Sequence, residues 1–336
     1  MGIAALKNPR VVVVTGASAG VGRATVRAFA ARGAHIGLIA RGRDGLEAAR
    51  KEVEQMGGRA LVLPCDVADS AGIEAAAARV EQELGPIDVW VNNAMASVFS
   101  PVKEMLAAEY ARVTDVTYLG YVHGTLSALK RMQPRDRGVI IQVGSALAHR
   151  SIPLQSAYCA AKHAVMGFTE SLRSELIHDG SRVQVCQVQM PALNTPQFSW
   201  VKSRLPRKPQ PVPPIFQPEV AADAIVYVAD HPRREFYVAF PTVKAILGEK
   251  VAAGFIDHYL AKNCYEAQQT DELDDPARRD NVHAPVPGDH GAHGSFDDRA
   301  KSFSAQLWMN KNRGLIAGLG LALGGIGVAS MLMARR

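Results

Sequence analysis

The stretch VVVVTGASAGVG, residues 11–22, decides the fold of this chain. Its four consecutive valines are typical of a strand that is buried on both faces, as the strands of parallel sheets are. A glycine-rich turn follows, and an amphipathic helix is predicted over about 23–32. The glycines let the backbone approach a pyrophosphate, and the start of the helix offers N–H donors to it. After a buried strand in a βαβ unit, this motif is strong evidence for a dinucleotide site.

Further strands are predicted downstream, and a helical segment separates each from the next. They cover residues 34–40, 59–67, 87–94, 138–145 and 182–190. Strands that alternate with helices of this length predict an α/β fold, a doubly wound parallel sheet of the Rossmann type. One long helix is expected over about 107–132, and another, which carries Tyr158, is expected to end at about residue 177.

The end of the second predicted strand bears on the type of cofactor. Folds that use NAD tend to carry an acidic residue here, which contacts the ribose 2′-hydroxyl. This chain instead has Ala40, followed by Arg41 and Arg43. A guanidinium can donate two hydrogen bonds to a 2′-phosphate, whereas a carboxylate would repel it. The sequence therefore favours NADP(H) over NAD(H). The alternative interpretation is that both arginines are ordinary surface charges.

A second informative segment is SAYCAAKHAV, residues 156–165. Tyr158 and Lys162 are four residues apart, so they share one face of a helix. An ammonium close to the phenol favours the phenolate, and we expect it to lower the pKa of Tyr158 by roughly two to three units. Ser145, thirteen residues before the tyrosine, is placed to hydrogen-bond a substrate oxygen on which charge develops. Alone, such a pair is more often a solvated helix face; the glycine-rich turn upstream favours a site.

Across roughly residues 8–250 the chain resembles the short-chain dehydrogenase/reductase family, in its single-domain subgroup and as a bacterial-type member with a C-terminal extension. The resemblance rests on motifs in the family's order and spacing: TGASAGVG at 15–22, Asp66-Val67, NNA at 92–94, Ser145, Tyr158 and Lys162. It implies a Rossmann-type fold and the NAD(P)(H)-dependent interconversion of alcohols and carbonyl compounds.

The resemblance also implies roles for individual residues. Tyr158 is the general acid/base, Lys162 lowers its pKa and holds the nicotinamide ribose, and Ser145 orients the substrate oxygen. The residues expected to contact the cofactor are Gly16, Ser18, Ala19, Gly20, Val21, Gly22, Arg41, Asp66, Val67, Asn93, Ala94, Tyr158, Lys162, Pro191 and Thr195. No metal site is predicted, although His290 and His293 lie close together in the sequence.

Three positions depart from the family's pattern. Met95 follows NNA where a glycine is usual, and Pro191-Ala192 stands where Pro-Gly is usual. Thr117 occupies the position of the asparagine that is often the fourth member of the catalytic set. A threonine would hold the same water less well, so the proton relay behind Lys162 is where this protein is expected to differ from its relatives.

The sequence changes in character after residue 196. Six prolines in 206–218 predict a stiff loop, which either covers a substrate or runs over the surface, and a helix is expected near 218–230. An amphipathic helix over 242–262 is expected to pack on the domain or on a partner.

We therefore predict a catalytic domain over residues 1–262 and a flexible polar linker over 263–313. Residues 314–334 carry no charge in 21 positions and predict a single transmembrane anchor, with the catalytic domain on the cytoplasmic side. A buried or aggregation-prone soluble tail is the competing interpretation of 314–334.

Composition narrows the possible functions. The 336 residues are 48% hydrophobic, enough for a large core, and the formal charge is +6. Lysine and arginine are scattered and aromatics amount to 6%, which argues against a nucleic-acid groove and permits contact with anionic lipid or phosphate. Two functions remain open: a membrane-tethered NADP(H)-dependent oxidoreductase acting on an apolar alcohol or ketone, and a catalytically impaired cofactor-binding scaffold on a membrane. The family resemblance implies a homo-oligomer.

Overall fold

The computed structural model describes residues 10–275 and 277–314. The strands are β1 (Val11–Thr15), β2 (His35–Ala40), β3 (Ala60–Pro64), β4 (Val89–Asn92), β5 (Val98–Phe99), β6 (Val139–Val143), β7 (Gln184–Gln189), β8 (Lys202–Ser203), β9 (Arg207–Pro209), β10 (Glu235–Tyr237) and β11 (Gln269–Leu273). The α-helices are α1 (Gly20–Ala30), α2 (Arg43–Gln55), α3 (Ser70–Leu84), α4 (Ala107–Thr114), α5 (Gly120–Met132), α6 (Ser156–His178), α7 (Gln197–Trp200), α8 (Pro218–Asp230), α9 (Phe240–Ala267) and α10 (Ala305–Lys311).

The predicted parallel sheet is confirmed. Seven strands form it in the order β10-β7-β6-β4-β1-β2-β3, and every neighbouring pair is parallel. The chain builds outward from β1 to β3, returns to β4 and then builds in the other direction. In such sheets ligands bind outside the carboxyl ends of the strands at this reversal. β10 was not predicted, because a strand of three residues leaves no readable pattern.

A hydrophobic core lies on each face of the sheet. On one face Val26 and Phe29 of α1 pack with Leu46 of α2 and Val220 of α8. On the other face the core is formed with α3, α4, α5 and α6, and it includes the fully buried Trp90. Both faces of the sheet are covered, which explains why its strands are continuous apolar runs.

The predicted helix over 107–132 is divided into α4 and α5 by a π-helical turn at Asp115–Leu119. Such turns widen a helix locally and frequently occur at functional sites. The turn contains Thr117, the residue assigned to the fourth catalytic position. The helix that carries Tyr158, α6, ends at His178, one residue beyond the predicted end.

The proline-rich stretch is more regular than predicted. β9 lies within it and pairs antiparallel with β11, a strand that the sequence analysis did not predict. A proline has no N–H to donate, but in a two-stranded sheet each strand has one unpaired edge where no such donor is needed. The helix expected near 218–230 is present, and it begins with Pro218, whose fixed backbone suits the first helical turn.

α9 is longer than the amphipathic helix predicted for 242–262, and its backbone is non-helical at Ala252. Ile246 in its first half packs on the domain and is 1% exposed. Around the kink the apolar face does not pack on the domain as predicted: Val251, just before Ala252, is 87% exposed, and Phe255, beyond it, is 73% exposed.

The segment predicted as a flexible linker, 263–313, packs on the domain in the part that the structure describes. Val282, Ala292, Phe296 and Leu307 are all buried. Low hydrophobicity was misleading here, because much of this segment is held by hydrogen bonds to backbone groups of the domain. Among residues 10–275 and 277–314, no helix is long and apolar enough to cross a membrane. The predicted anchor at 314–334 lies, except for Gly314, outside the described residues.

Candidate active site

A cavity opens at the carboxyl ends of the central strands, where the strand order reverses. Its empty space, which includes the open mouth, is about 1100 Å³. The predicted cofactor residues that line it are Gly16, Ser18, Ala19, Gly20, Val21, Arg41, Asp66, Val67, Asn93, Ala94 and Thr195. Gly22, Pro191, Tyr158 and Lys162 are not part of this lining, whereas Met95 is.

The glycine-rich turn after β1 is shaped for close backbone approach. Gly16 and Gly20 have φ values of 67° and 56°, in the left-handed region that a side chain disfavours. A Cβ on Gly22 would lie 2.0 Å from the carbonyl oxygen of Gly16. Only glycine permits this packing, so the turn offers a cradle of backbone for a dinucleotide.

Thr15 joins this turn to the end of β4. Its hydroxyl oxygen accepts hydrogen bonds from the N–H groups of Asn93 at 2.9 Å and Ala94 at 3.1 Å. The amide of Asn93 donates in return to the Thr15 carbonyl at 2.9 Å. The two edges of the crevice are therefore fixed relative to each other.

Arg41 lies in the cavity wall at the end of β2. Its guanidinium donates to the carbonyl oxygen of Asn281 and, at 3.2 Å, to that of Val282. Burial lowers the pKa of Arg41, Asp66 opposes this and Arg112 adds to it, but a guanidinium remains charged in proteins. Arg43, the second arginine of the motif, is 74% exposed and pairs with Glu47 at 3.5 Å.

Asp66 follows β3 and is paired with Arg112 of α4. Burial opposes ionisation of Asp66, but the hydrogen bonds from Arg112 and from the Ala68 N–H outweigh it and lower the pKa. The sequence identified Asp66 and missed Arg112, which lies 46 residues away on a helix with no motif of its own. Two guanidiniums, Arg41 and Arg112, thus flank one carboxylate at this end of the cavity.

The structure brings Ser145, Tyr158 and Lys162 together at the carboxyl end of β6. Lys162 Nζ donates to the carbonyl of Val143, the last residue of that strand, at 2.7 Å, and lies 5.6 Å from the centroid of the Tyr158 ring. The Ser145 hydroxyl accepts from the Leu147 N–H at 3.1 Å and lies close enough to the phenol of Tyr158 to affect its ionisation.

The predicted lowering of the Tyr158 pKa is wrong for this structure. Burial raises the pKa of Tyr158 above its usual value, and the nearby hydroxyl of Ser145 opposes the rise only in part. Burial also lowers the pKa of Lys162 to about 7, so burial disfavours the very ammonium that was expected to favour the phenolate. The loss of water around the phenolate is therefore the largest influence on Tyr158.

Lys162 contacts a residue that the sequence analysis missed. Its Nζ lies 2.8 Å from the hydroxyl of Tyr121, which itself donates to the Val143 carbonyl at 2.9 Å. The ammonium also lies 4.5 Å from the centroid of the Tyr121 ring, a cation–π distance. Tyr121 is four residues after Thr117, but no motif in the sequence marks its pairing with Lys162.

Thr117 does not reach the lysine. Its hydroxyl donates to the Ala96 carbonyl and accepts from the Ala96 N–H, both at 2.9 Å, and it is fully buried. Both of its hydrogen-bonding functions are therefore taken up in holding the backbone just after Met95. In the structure, Tyr121 rather than Thr117 contacts Lys162.

Gln189, also unpredicted, fixes the backbone at Ser145. Its side-chain oxygen accepts from the Ser145 N–H at 2.8 Å, and its amide nitrogen donates to Glu235 at 2.7 Å. A glutamine in a buried strand carries no motif, but a buried polar side chain of this kind must be hydrogen-bonded. The hydrogen bond from Gln189 therefore holds the Ser145 backbone in place without a bound substrate.

Comparison with known proteins agrees with this geometry. The family model for short chain dehydrogenases matches residues 10–204. An uncharacterized oxidoreductase of Bacillus subtilis (strain 168) is 30% identical over 283 residues, which are 84% of this chain and 80% of that protein. A fatty acyl-CoA reductase of Acinetobacter baylyi is 32% identical over 228 residues, 67% of this chain and 75% of the relative.

Solved structures with the same fold include two that carry a nicotinamide cofactor. A metagenomic short-chain oxidoreductase in complex with NADP has a TM-score of 0.58 and 28% identity, over 69% of this chain and 97% of that one. An alcohol dehydrogenase of the archaeon Thermococcus sibiricus, complexed with 5-hydroxy-NADP, has a TM-score of 0.59 and 26% identity, over 69% and 95% of the two chains.

Proposed function

The chain belongs to the short-chain dehydrogenase family and is an oxidoreductase, and on that premise we propose that it interconverts an alcohol and a carbonyl compound with NADP(H). The observation that carries the proposal is the meeting of Ser145, Tyr158 and Lys162 at one strand end. The glycine-rich cavity lies at the same edge of the sheet. A proton-transfer group and a dinucleotide cradle side by side are what hydride chemistry at a carbon–oxygen bond requires.

The cavity fits a dinucleotide phosphate. The close approach at Gly22 leaves room for backbone only, and the start of α1 offers N–H groups to a diphosphate. Arg41 supports NADP(H) rather than NAD(H), because its guanidinium lines the cavity where an acidic residue would bind a free 2′-hydroxyl. The two similar structures complexed with NADP and 5-hydroxy-NADP support the same choice. When bound, the cofactor supplies or accepts the hydride.

The residues of the chain handle the proton. A raised pKa keeps Tyr158 protonated at neutral pH, which suits donation of a proton to a carbonyl oxygen during reduction. Ser145 shares its hydroxyl with that oxygen and with the phenol. Lys162, when charged, stabilises the phenolate that is left behind, and Tyr121 stabilises the charge of Lys162.

An apolar carbonyl substrate is the class we favour. The relative from Acinetobacter baylyi is named as a fatty acyl-CoA reductase, and it covers two thirds of this chain. The predicted anchor at 314–334 would place the enzyme at a lipid surface, and this too favours an apolar substrate. Deleting 314–336 should move the protein from the membrane fraction to the soluble fraction; an unchanged distribution would contradict the anchor.

Turnover of NADPH with a panel of aldehydes and ketones tests the function. Tyr158→Phe should lower kcat at least ~100-fold, the usual contribution of a positioned acid or base, while NADPH binding persists. Tyr259→Phe, the same change at a site that is 57% exposed, is the control and should be unchanged. A Tyr158→Phe enzyme as fast as wild type would refute the assigned role.

Arg41→Asp tests the cofactor choice separately. The added carboxylate should weaken NADPH far more than NADH, since only NADPH carries the 2′-phosphate. An equal loss for both cofactors would refute the contact with the 2′-phosphate.

A catalytically impaired scaffold is the second candidate function. It is favoured by Thr117, whose hydroxyl is committed to Ala96 and not to a proton relay, and by Met95 in the cavity lining. It predicts NADPH binding, seen as a thermal shift, with no turnover of any member of the panel. Any turnover that depends on Tyr158 excludes it.

A further inference from the structure

A segment outside the region matched by the family model crosses the cavity. Residues 281–293, here called the strap, follow β11 and pass over the carboxyl ends of the strands. Strap residues that line the cavity together with the glycine-rich turn are Asn281, Pro285, Val286, Gly288 and His290. The ring of His290 lies 4.6 Å from that of Trp200, centroid to centroid, and Trp200 is another lining residue. The cavity therefore has a wall that the strand-and-helix core does not supply.

The start of the strap is fixed beside Arg41. Val282 is fully buried in one of the two cores. Its carbonyl accepts from Arg112 at 2.9 Å and from Arg41 at 3.2 Å, and the Asn281 carbonyl accepts a second bond from Arg41. Arginine has five N–H donors in a rigid plane. Two are used here, so the strap orients the guanidinium and leaves three donors.

The far end of the strap is fixed beside the glycine-rich turn. The Gly291 carbonyl accepts from the Gly20 N–H at 3.0 Å, and Asp289 accepts from the buried Arg23 at 3.2 Å. The first N–H groups of a helix have no partner within the helix. The strap therefore satisfies one of these donors of α1, while the neighbouring Val21 still lines the cavity.

We propose that the strap is a cofactor-binding element: it aims Arg41 at the 2′-phosphate of NADP(H) and closes the dinucleotide site, so that the cofactor leaves only when the strap's contacts open. This rests on the proposed use of NADP(H). The strap spans the cavity from the residue that reads the 2′-phosphate to the turn that holds the diphosphate. A dinucleotide between these two points lies beneath it.

Two variants release the two ends separately. Val282→Asn puts a polar side chain in a fully apolar site and detaches the end that orients Arg41. Gly291→Val leaves the core untouched, but Gly291 has a φ of 63°, which a β-branched residue adopts only with strain. His283→Asn is the matched control, because His283 neighbours Val282 and is exposed.

The measurements are equilibrium binding of NADPH and NADH and the NADPH dissociation rate in a chase. Both strap variants should release NADPH about tenfold faster than wild type and His283→Asn, a factor that the loss of about one hydrogen bond would produce. Val282→Asn should also lower the preference for NADPH over NADH about tenfold, whereas Gly291→Val should leave that preference unchanged.

The outcomes separate the strap from the function beneath it. Wild-type dissociation rates in Gly291→Val would overturn the closure, and this variant stays informative if Val282→Asn does not fold. Tight NADPH binding with an unchanged preference in folded Val282→Asn would overturn the aiming of Arg41. If wild type and His283→Asn bind neither cofactor, the proposed function fails together with this inference.

Discussion

Replacing Tyr121 by phenylalanine removes one oxygen from the catalytic centre and leaves the ring in place. That oxygen lies 2.8 Å from Lys162 Nζ, and among the described residues the Val143 carbonyl, at 2.7 Å, remains as the hydrogen-bond partner of the ammonium. A hydrogen bond to a charged group contributes ~1.5–3 kcal/mol, and one pKa unit corresponds to ~1.36 kcal/mol. Because burial already lowers the pKa of Lys162 to about 7, the variant should lower it further by roughly one to two units.

The pH dependence of kcat/KM for carbonyl reduction measures this effect. Lower pKa means less ammonium at a given pH, so the alkaline limb of the profile should move to lower pH by roughly one to two units. Activity should be recovered when the pH is lowered, and NADPH affinity should change little. Tyr118→Phe is the control, since Tyr118 lies in the π-helical turn just before α5, which carries Tyr121, and packs on Phe168. A profile that keeps its limb in place would refute the account, even if kcat falls.

Three further predictions follow from buried or strained positions. Lys162→Met should abolish turnover yet raise the thermal midpoint of the cofactor-free protein by roughly 5–10 °C, because charging a buried lysine costs a few kcal/mol; an unchanged or lower midpoint in a melting scan would contradict this. Gly22→Ala should weaken NADPH at least ~10-fold in a binding titration, since its Cβ would meet the Gly16 carbonyl at 2.0 Å, while Gly167→Ala, with no atom near its Cβ, should bind normally. Burial opposes the charged form of His293, but its hydrogen bonds to Glu219 and Asp297 outweigh burial and raise the pKa of His293. The stabilisation from these contacts of His293 is therefore fully present below about pH 6.5 and is lost as the pH rises through the raised pKa. A proton-NMR titration of His293 with a midpoint at or below pH 6.5 would refute this prediction.

The parallel sheet and the cofactor turn could be predicted because their signals are local. A run of valines at 11–14 can hardly be anything but a buried strand, and the packing at Gly22 tolerates no other residue. The spacing of Tyr158 and Lys162 likewise predicts that the two side chains lie near each other, since positions four apart share a helix face.

Other parts of the site were missed because their signals are distant or lie in the backbone. Tyr121 reaches Lys162 across 41 residues, and nothing in the sequence marks that pairing. The strap is held largely through carbonyl oxygens, such as those of Val282 and Gly291, which every residue type carries. Its polar composition therefore suggested a linker, although the fold supplies partners for it.

The direction of the Tyr158 pKa could not be predicted from spacing alone. Proximity to an ammonium lowers the pKa of a phenol only if the ammonium stays charged and the phenolate keeps its water. Here burial removes water from both groups. Burial therefore determined the direction of the Tyr158 pKa shift, and the i, i+4 spacing carries no information on burial.

Transfer of deuterium from C4-labelled NADPH to a reduced product tests the central claim most directly. With a ketone or aldehyde that the wild-type enzyme reduces, mass spectrometry and NMR should find the label on the carbon that bears the new hydroxyl. Tyr158→Phe should bind the labelled cofactor and transfer the label at least ~100-fold more slowly. A product without deuterium at that carbon, or equal transfer by Tyr158→Phe, would contradict the account.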